Sequence, residues 1–184
     1  MAAKAAKKAI EQAGIDPAQI DLIILGTSSP DYCFPNGACE IQAKVGAVNA
    51  ACFDISSAWT GFVFALSTVH AYISSGLYKT ALVVGADLLS KLVDWTDRST
   101  CVLFGDGAGA AVLESDENER GILSTYIKNY DDVKGAIKCK ANYINPPFWE
   151  DDLTPQPLFM KGRAVFKFAV NAIDEVTKGA LEET

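Results

Sequence analysis

The sequence predicts an α/β fold with a mostly parallel sheet, on three observations. Unbroken apolar runs such as Leu22-Ile-Ile-Leu and Ala81-Leu-Val-Val are strand-sized and read as strands covered on both faces. Stretches of helical composition alternate with them, and several end at glycine. The chain has 184 residues, of which 49% are apolar and 21% charged, enough for one domain with a real core and unlike a disordered chain.

The elements follow in order. Ala2–Ala13 is rich in strong helix formers and Gly14 ends it. Asp16-Pro17 turns the chain into the strand Leu22 to Thr27. Residues 28–36 form a loop with prolines at Pro30 and Pro35. A short helix spans Gly37 to Val45 and Gly46 stops it. Cys52-Phe-Asp-Ile-Ser is strand-like, and Gly61 to Ser75 is an apolar helix stopped by Gly76. Thr80 to Gly85 is a buried strand, with a short helix expected around Leu88 to Leu92. The run from Cys101 to Leu113 carries a further strand, and Gly121 to Ile127 reads as one more. Residues 128–157 are low in pattern and hold four of the seven prolines, a long connection for a compact domain. From Gly162 onward, Val165, Phe166, Phe168, Ala169, Ala172, Ile173 and Val176 mark a last helix.

Composition excludes several classes of function. No apolar run approaches the ~18 residues of a membrane helix. The first residues carry lysines but no apolar core behind them, so no secretory signal is expected. A net charge of −7 argues against a general nucleic-acid binder. Five cysteines without CxxC spacing, and one histidine, make a poor zinc site; free thiols in a reducing cytoplasm are expected.

Four features could carry chemistry. Gly105-Asp-Gly-Ala-Gly-Ala-Ala looks like a phosphate-binding loop, but it leads into strand rather than helix, so close packing of small residues is the stronger reading. Asp54 to Phe62 is a strand, a sharp turn and a helix start, where exposed N–H groups would lower a thiol pKa and hold an oxyanion. Its apex is Trp59, whose indole donates one hydrogen bond and is no nucleophile. His70 lies roughly 16 Å further along the helix and reads as a packed or surface residue. Lys161, Arg163 and Lys167 either dock an acidic partner or form a solvated face.

The order and spacing of several segments resemble β-ketoacyl-acyl-carrier-protein synthase III, of the thiolase-like condensing superfamily. They are Ala13-Gly-Ile-Asp-Pro, Ser28-Ser-Pro-Asp-Tyr-Cys-Phe-Pro, Phe53-Asp-Ile-Ser, Thr60-Gly-Phe-Val-Phe-Ala-Leu, Asp97-Arg98, Phe104-Gly-Asp-Gly-Ala-Gly-Ala-Ala-Val-Leu and Met160-Lys-Gly-Arg-Ala-Val-Phe. The resemblance implies the first αβαβα-type repeat, lacking its opening strand, plus the first helix of a second repeat. It divides the chain into an N-terminal thiolase-like half (1–127), a connecting, active-site-rim segment (128–157) and the start of a C-terminal half (158–184). It implies condensation of an acyl-CoA with malonyl-acyl-carrier protein in fatty-acid or polyketide biosynthesis, in the cytoplasm, by a homodimer. The CoA thioester is substrate, and no covalently bound cofactor or metal is implied.

Residue by residue, Trp59 occupies the position of the nucleophilic cysteine. Phe34 matches a residue lining the partner's acyl pocket, and Arg98 one that contacts the CoA nucleotide end. Leu158, Met160 and Phe166 match residues of the pantetheine and acyl tunnel. Lys161, Arg163 and Lys167 fall where the carrier protein docks. Family members are nearly twice this long, and their supporting histidine and asparagine lie in the half not matched here. The expectation is therefore a family member that is itself inactive. A silent partner subunit, a binding module for acyl-CoA or carrier protein, and a shortened or deliberately blocked form all stay open.

Overall fold

Leu22–Gly26 forms β1, and all five of its residues are buried. Such a strand needs a neighbour on each edge and a layer on each face. A computed structural model describes residues 1–116, 121–131, 134–141, 148 and 154–182. In it β1 pairs in parallel with β2 (Ala51–Ile55) and with β3 (Thr80–Leu88). β3 then pairs with β4 (Asp106–Glu114), giving the order β2-β1-β3-β4. The last pairing is antiparallel, with Thr80 opposite Glu114 and Leu88 opposite Asp106. The sheet is therefore mixed, three strands parallel and one reversed.

Alternation along the strands sends side chains to two separate cores. Ile23, Leu25, Leu82 and Val84 pack with Ala6, Ala9 and Ile10 of α1 (Ala2–Ala13) and with Ala38 and Ile41 of α2 (Gly37–Val45). Leu22, Ile24, Ala81 and Val83 pack with Ala65 and Val69 of α3 (Gly61–Ser74) on the other face. The result is a three-layer α/β/α arrangement. Gly14 and Gly46 end α1 and α2 in the left-handed conformation, φ 68° and 81°, which glycine adopts without steric cost.

One contact sets where α3 begins. Gly26 ends β1 against Gly61, and a Cβ on Gly26 would lie 2.4 Å from the Gly61 carbonyl carbon and 2.7 Å from the Phe62 nitrogen. Strand and helix touch backbone to backbone there.

Several expectations are corrected. Gly121 to Ile127 forms no strand among the described residues. Its apolar alternation suits a strand, yet Leu123 is exposed, and the Thr125 hydroxyl accepts a hydrogen bond from the Ser67 hydroxyl at 3.2 Å. Cys101–Leu103 is turn rather than strand, drawn back by N–H bonds from Cys101 to Asp97 O and from Leu103 to Thr100 O. The helix expected at Leu88–Leu92 is a single 3₁₀ turn, Leu89–Lys91. The small residues of β4 do not mark a tight approach at the glycines: a Cβ on Gly105, Gly107 or Gly109 would meet nothing within 4 Å. Ala110 and Val112 make the packing contact instead.

The chain forms two compact units. The first comprises Met1–Leu88 and Asp106–Thr125, the second Leu89–Gly105 and Tyr126–Thr184. In the second, β5 (Ile137–Lys138) and β6 (Phe159–Met160) pair antiparallel, and α4 (Gly162–Glu182) follows. Tyr130 lies edge-on to Phe168 of α4 at 5.3 Å, and both Lys128 and Tyr130 bond to Glu175. Much of the connecting segment 128–157 lies outside the described residues, namely 132–133, 142–147, 149–150 and 151–153. No described helix is long and apolar enough to cross a membrane.

Candidate active site

In the first unit the candidate site is the turn Ser56–Thr60 between β2 and α3. Thr27 N–H bonds to Ile55 O at 3.1 Å, so the end of β2 stays in register with β1 until the turn begins. Then Thr60 N–H reaches Ser57 O and Gly61 N–H reaches Ala58 O, both at 3.2 Å. To close this turn Ala58 takes φ 45°, the left-handed region, which costs an L-residue roughly 1–2 kcal/mol. The Thr60 hydroxyl donates back to Ser57 O at 2.7 Å and does not cap the helix. The first N–H groups of α3 thus lack a side-chain cap, and the positive end of the helix dipole faces the turn.

That environment favours an anion, and Trp59 stands in it, 49% exposed. The indole is held out at the turn rather than folded into either core. Cys52 is four residues before the turn begins, on β2. Burial, the Cys39 thiol and the Asp54 carboxylate together push its pKa up to about 11, the reverse of what a nucleophile needs. His70 is half-buried on α3.

Asp54 was not singled out from the sequence as a functional group, yet it organises this region. It accepts hydrogen bonds from Gly37 N and Ala38 N, each at 2.8 Å, and so anchors the first turn of α2 to β2. Asn36 caps the same helix through Cys39 N at 2.9 Å. Asp87 plays the matching part at the end of β3, accepting from Ser28 N at 2.8 Å and from the Ser29 hydroxyl at 3.0 Å. The available signal was a carboxylate within an apolar strand, which must find donors when half-buried. Phe34 projects from the loop these two aspartates fix, 86% exposed. A small cavity between this loop, the start of α1 and α2 is bounded by Leu25, Thr27, Ser29, Tyr32, Glu40 and Lys44; neither Phe34 nor Trp59 borders it.

The second unit carries the other candidates. Arg98 is exposed within the second of two successive tight turns. In one, Asp94 accepts from Thr96 N and Oγ1; in the other, Asp97 accepts from Ser99 N and Oγ, and from the buried Thr100. The Thr96 hydroxyl lowers the Asp94 pKa, and the Ser99 hydroxyl that of Asp97. Leu158 is buried, with its N–H on Leu92 O at 2.7 Å. Met160 follows in β6, half-buried, and Phe166 is 72% exposed on α4. Lys161 is tied down: its N–H bonds to Ala136 O and its ammonium to Lys134 O. Arg163 and Lys167 are exposed one helical turn apart, so they share a face of α4. Leu158, Met160 and Lys161 are thus brought together around β6. Among the described residues no cluster of histidine, cysteine or carboxylate groups could hold a metal ion.

Residues 53–130 match the family described as 3-oxoacyl-[acyl-carrier-protein] synthase III. The β-ketoacyl-[acyl-carrier-protein] synthase III of Clostridium acetobutylicum is 49% identical over 185 residues, covering 100% of this chain and 57% of the relative. That of Clostridium beijerinckii is 50% identical over 183 residues, covering 98% and 56%. The crystal structure of 3-oxoacyl-[acyl-carrier-protein] synthase III from Aquifex aeolicus superposes with a TM-score of 0.88 at 42% identity, covering 100% of this chain and 55% of that one. The chain spans a little over half the length of the relatives it matches.

Proposed function

Because the chain is a relative of the β-ketoacyl-[acyl-carrier-protein] synthase III enzymes along its whole length and shares their thiolase-like fold, we propose that it is a condensing protein of that type whose acyl-transfer step is blocked. Its substrates on this reading are an acyl-CoA and malonyl-acyl-carrier protein, its setting fatty-acid or polyketide biosynthesis in the cytoplasm. Residues 1–127 are its N-terminal half, 128–157 the rim of the site and 158–184 the start of the other half. β2, an edge strand of the sheet, serves as the pairing strand of a homodimer.

The observation that carries the block is Trp59 at the head of α3. Covalent condensation begins when a thiolate attacks the acyl-CoA carbonyl, expels CoA thiolate and leaves an acyl-enzyme. The helix terminus would stabilise both thiolate and oxyanion, but an indole supplies no lone pair for the attack. The experiment is direct. Purified chain incubated with acetyl-CoA and malonyl-carrier protein gives no ketoacyl product and no mass increase of one acetyl group. Acylation of the unaltered chain, or steady product formation, would overturn the proposal.

A second reading, binding without chemistry, is favoured by the exposure of Arg98, Arg163 and Lys167. Arg98 takes the nucleotide end of CoA; Leu158, Met160 and Phe166 take the pantetheine arm; Phe34 lines an acyl pocket across a dimer. Lys161, Arg163 and Lys167 receive the acidic carrier protein. Calorimetric titration with CoA, repeated on Arg98→Ala, separates this reading from a silent partner subunit. Saturable binding weakened by the substitution supports it, and absence of saturable binding removes it.

A further inference from the structure

Two cysteines face each other where α2 lies on β2, and the condensing chemistry has no use for either. Alternation along β2 turns Cys52 and Asp54 toward α2, while Phe53 and Ile55 turn to the opposite core. On α2, residues three apart share a face, so Cys39 lies beside Gln42. Two hydrogen-bonded clamps bracket the pair. At one end Asp54 holds Gly37 N and Ala38 N at 2.8 Å; at the other the Gln42 side-chain amide donates to Ala50 O, also at 2.8 Å. Helix residues 38, 39 and 42 thus run alongside strand residues 54, 52 and 50, and Cys39 falls opposite Cys52. Both thiols are reduced and partly accessible to small molecules.

We propose that Cys39 and Cys52 are an oxidation site, converted by a hydroperoxide into a disulfide that staples α2 to β2. The step balances as follows. The Cys39 sulfur attacks one peroxide oxygen, the O–O bond breaks, and with hydrogen peroxide one water leaves as a sulfenic acid forms. The Cys52 thiol then attacks the sulfenic sulfur, loses its proton and expels a second water. Two thiols are oxidised by two electrons in total and one peroxide is reduced. Cys39 is the first to react because Cys52 is held as a neutral thiol by burial, by Cys39 itself and by Asp54. The staple joins two elements that the Asp54 and Gln42 clamps already hold side by side. It also fixes the strand that runs into the Trp59 turn.

The test uses the full chain treated with excess hydrogen peroxide, followed by alkylation, digestion and mass spectrometry. The expected product is a peptide pair joined through Cys39 and Cys52, two hydrogens lighter than the free peptides. Cys33→Ser leaves the joined pair intact. Cys52→Ala abolishes it and leaves Cys39 open to dimedone, the sulfenic-acid probe. Circular dichroism confirms that each variant folds. Full alkylation of both thiols after peroxide, joining of Cys39 to Cys33 instead, or equal joining in strong denaturant would each overturn the proposal.

Discussion

Gly26→Ala tests the backbone contact on which the Trp59 turn rests. The new methyl carbon would sit 2.4 Å from Gly61 C, 2.6 Å from Gly61 O and 2.7 Å from Phe62 N. Non-bonded carbons settle at about 3.5–4.0 Å. The start of α3 must therefore withdraw from β1 by roughly 1 Å, and every obstructing atom is backbone, so no side chain can swing aside. Overpacking of this kind costs about 3 kcal/mol. At a urea slope of about 2 kcal/mol per molar, the unfolding midpoint should fall by about 1.5 M. Two other glycines calibrate the result. Gly61→Ala meets Gly26 Cα at 3.1 Å, a clash of a few tenths of an ångström, and should cost about 1 kcal/mol. Gly107→Ala meets nothing within 4 Å and should change stability by less than about 0.5 kcal/mol. Urea titrations followed by far-UV circular dichroism give all three. A Gly26→Ala midpoint equal to that of Gly107→Ala would refute the contact and the placement of α3 argued from it.

Three further outcomes are expected. Ala58→Gly relieves the left-handed backbone at φ 45° and should raise stability by about 1 kcal/mol in thermal melts, whereas Ala58→Val should lower it. Asp54→Ala removes both anchors of the first turn of α2 and should cost about 2–3 kcal/mol, with faster amide exchange at Gly37 and Ala38. Cys52 should alkylate with a midpoint near pH 11, well above the ordinary thiol value. Its thiol pKa is raised in the fold, so both folded and unfolded chains are protonated below about pH 9. Between about pH 9 and 11 the unfolded chain ionises first and stability falls; Cys52→Ala should flatten that decline.

What the sequence disclosed depended on the range of the interaction. Glycine termini are local, so α2 was legible to the residue, Gly37 to Val45 with Gly46 beyond. β1 and the first half of β3 were plain because Leu22–Leu25 and Ala81–Val84 are apolar runs buried on both faces, whereas the half-buried end of β3, which carries Asp87 beyond Gly85, was not. Gly121 to Ile127 misled because periodicity reports a strand-competent segment, not whether a sheet edge will accept it. The reversal of β4 was hidden for the same reason: strand direction is settled by the path between Leu88 and Asp106, where aspartate-centred turns replace regular structure. At the candidate site, the strand-turn-helix and its occupant Trp59 could be read directly. The clamp by Asp54 could not, since its donors sit seventeen and sixteen residues earlier on another element.

The order of strands also bears on how the chain is made. β1 leaves the ribosome early, yet Leu22 finds its second edge partner only at Ala81. Throughout that interval a fully apolar strand has one open ladder, the condition under which nascent chains pair with the wrong neighbour. α1 and α2 can shelter one face of it at once, whereas the other face waits for α3 and β3. The first unit thus becomes self-protecting late, and a pause or break in synthesis before residue 81 would release a strand with no safe place to go.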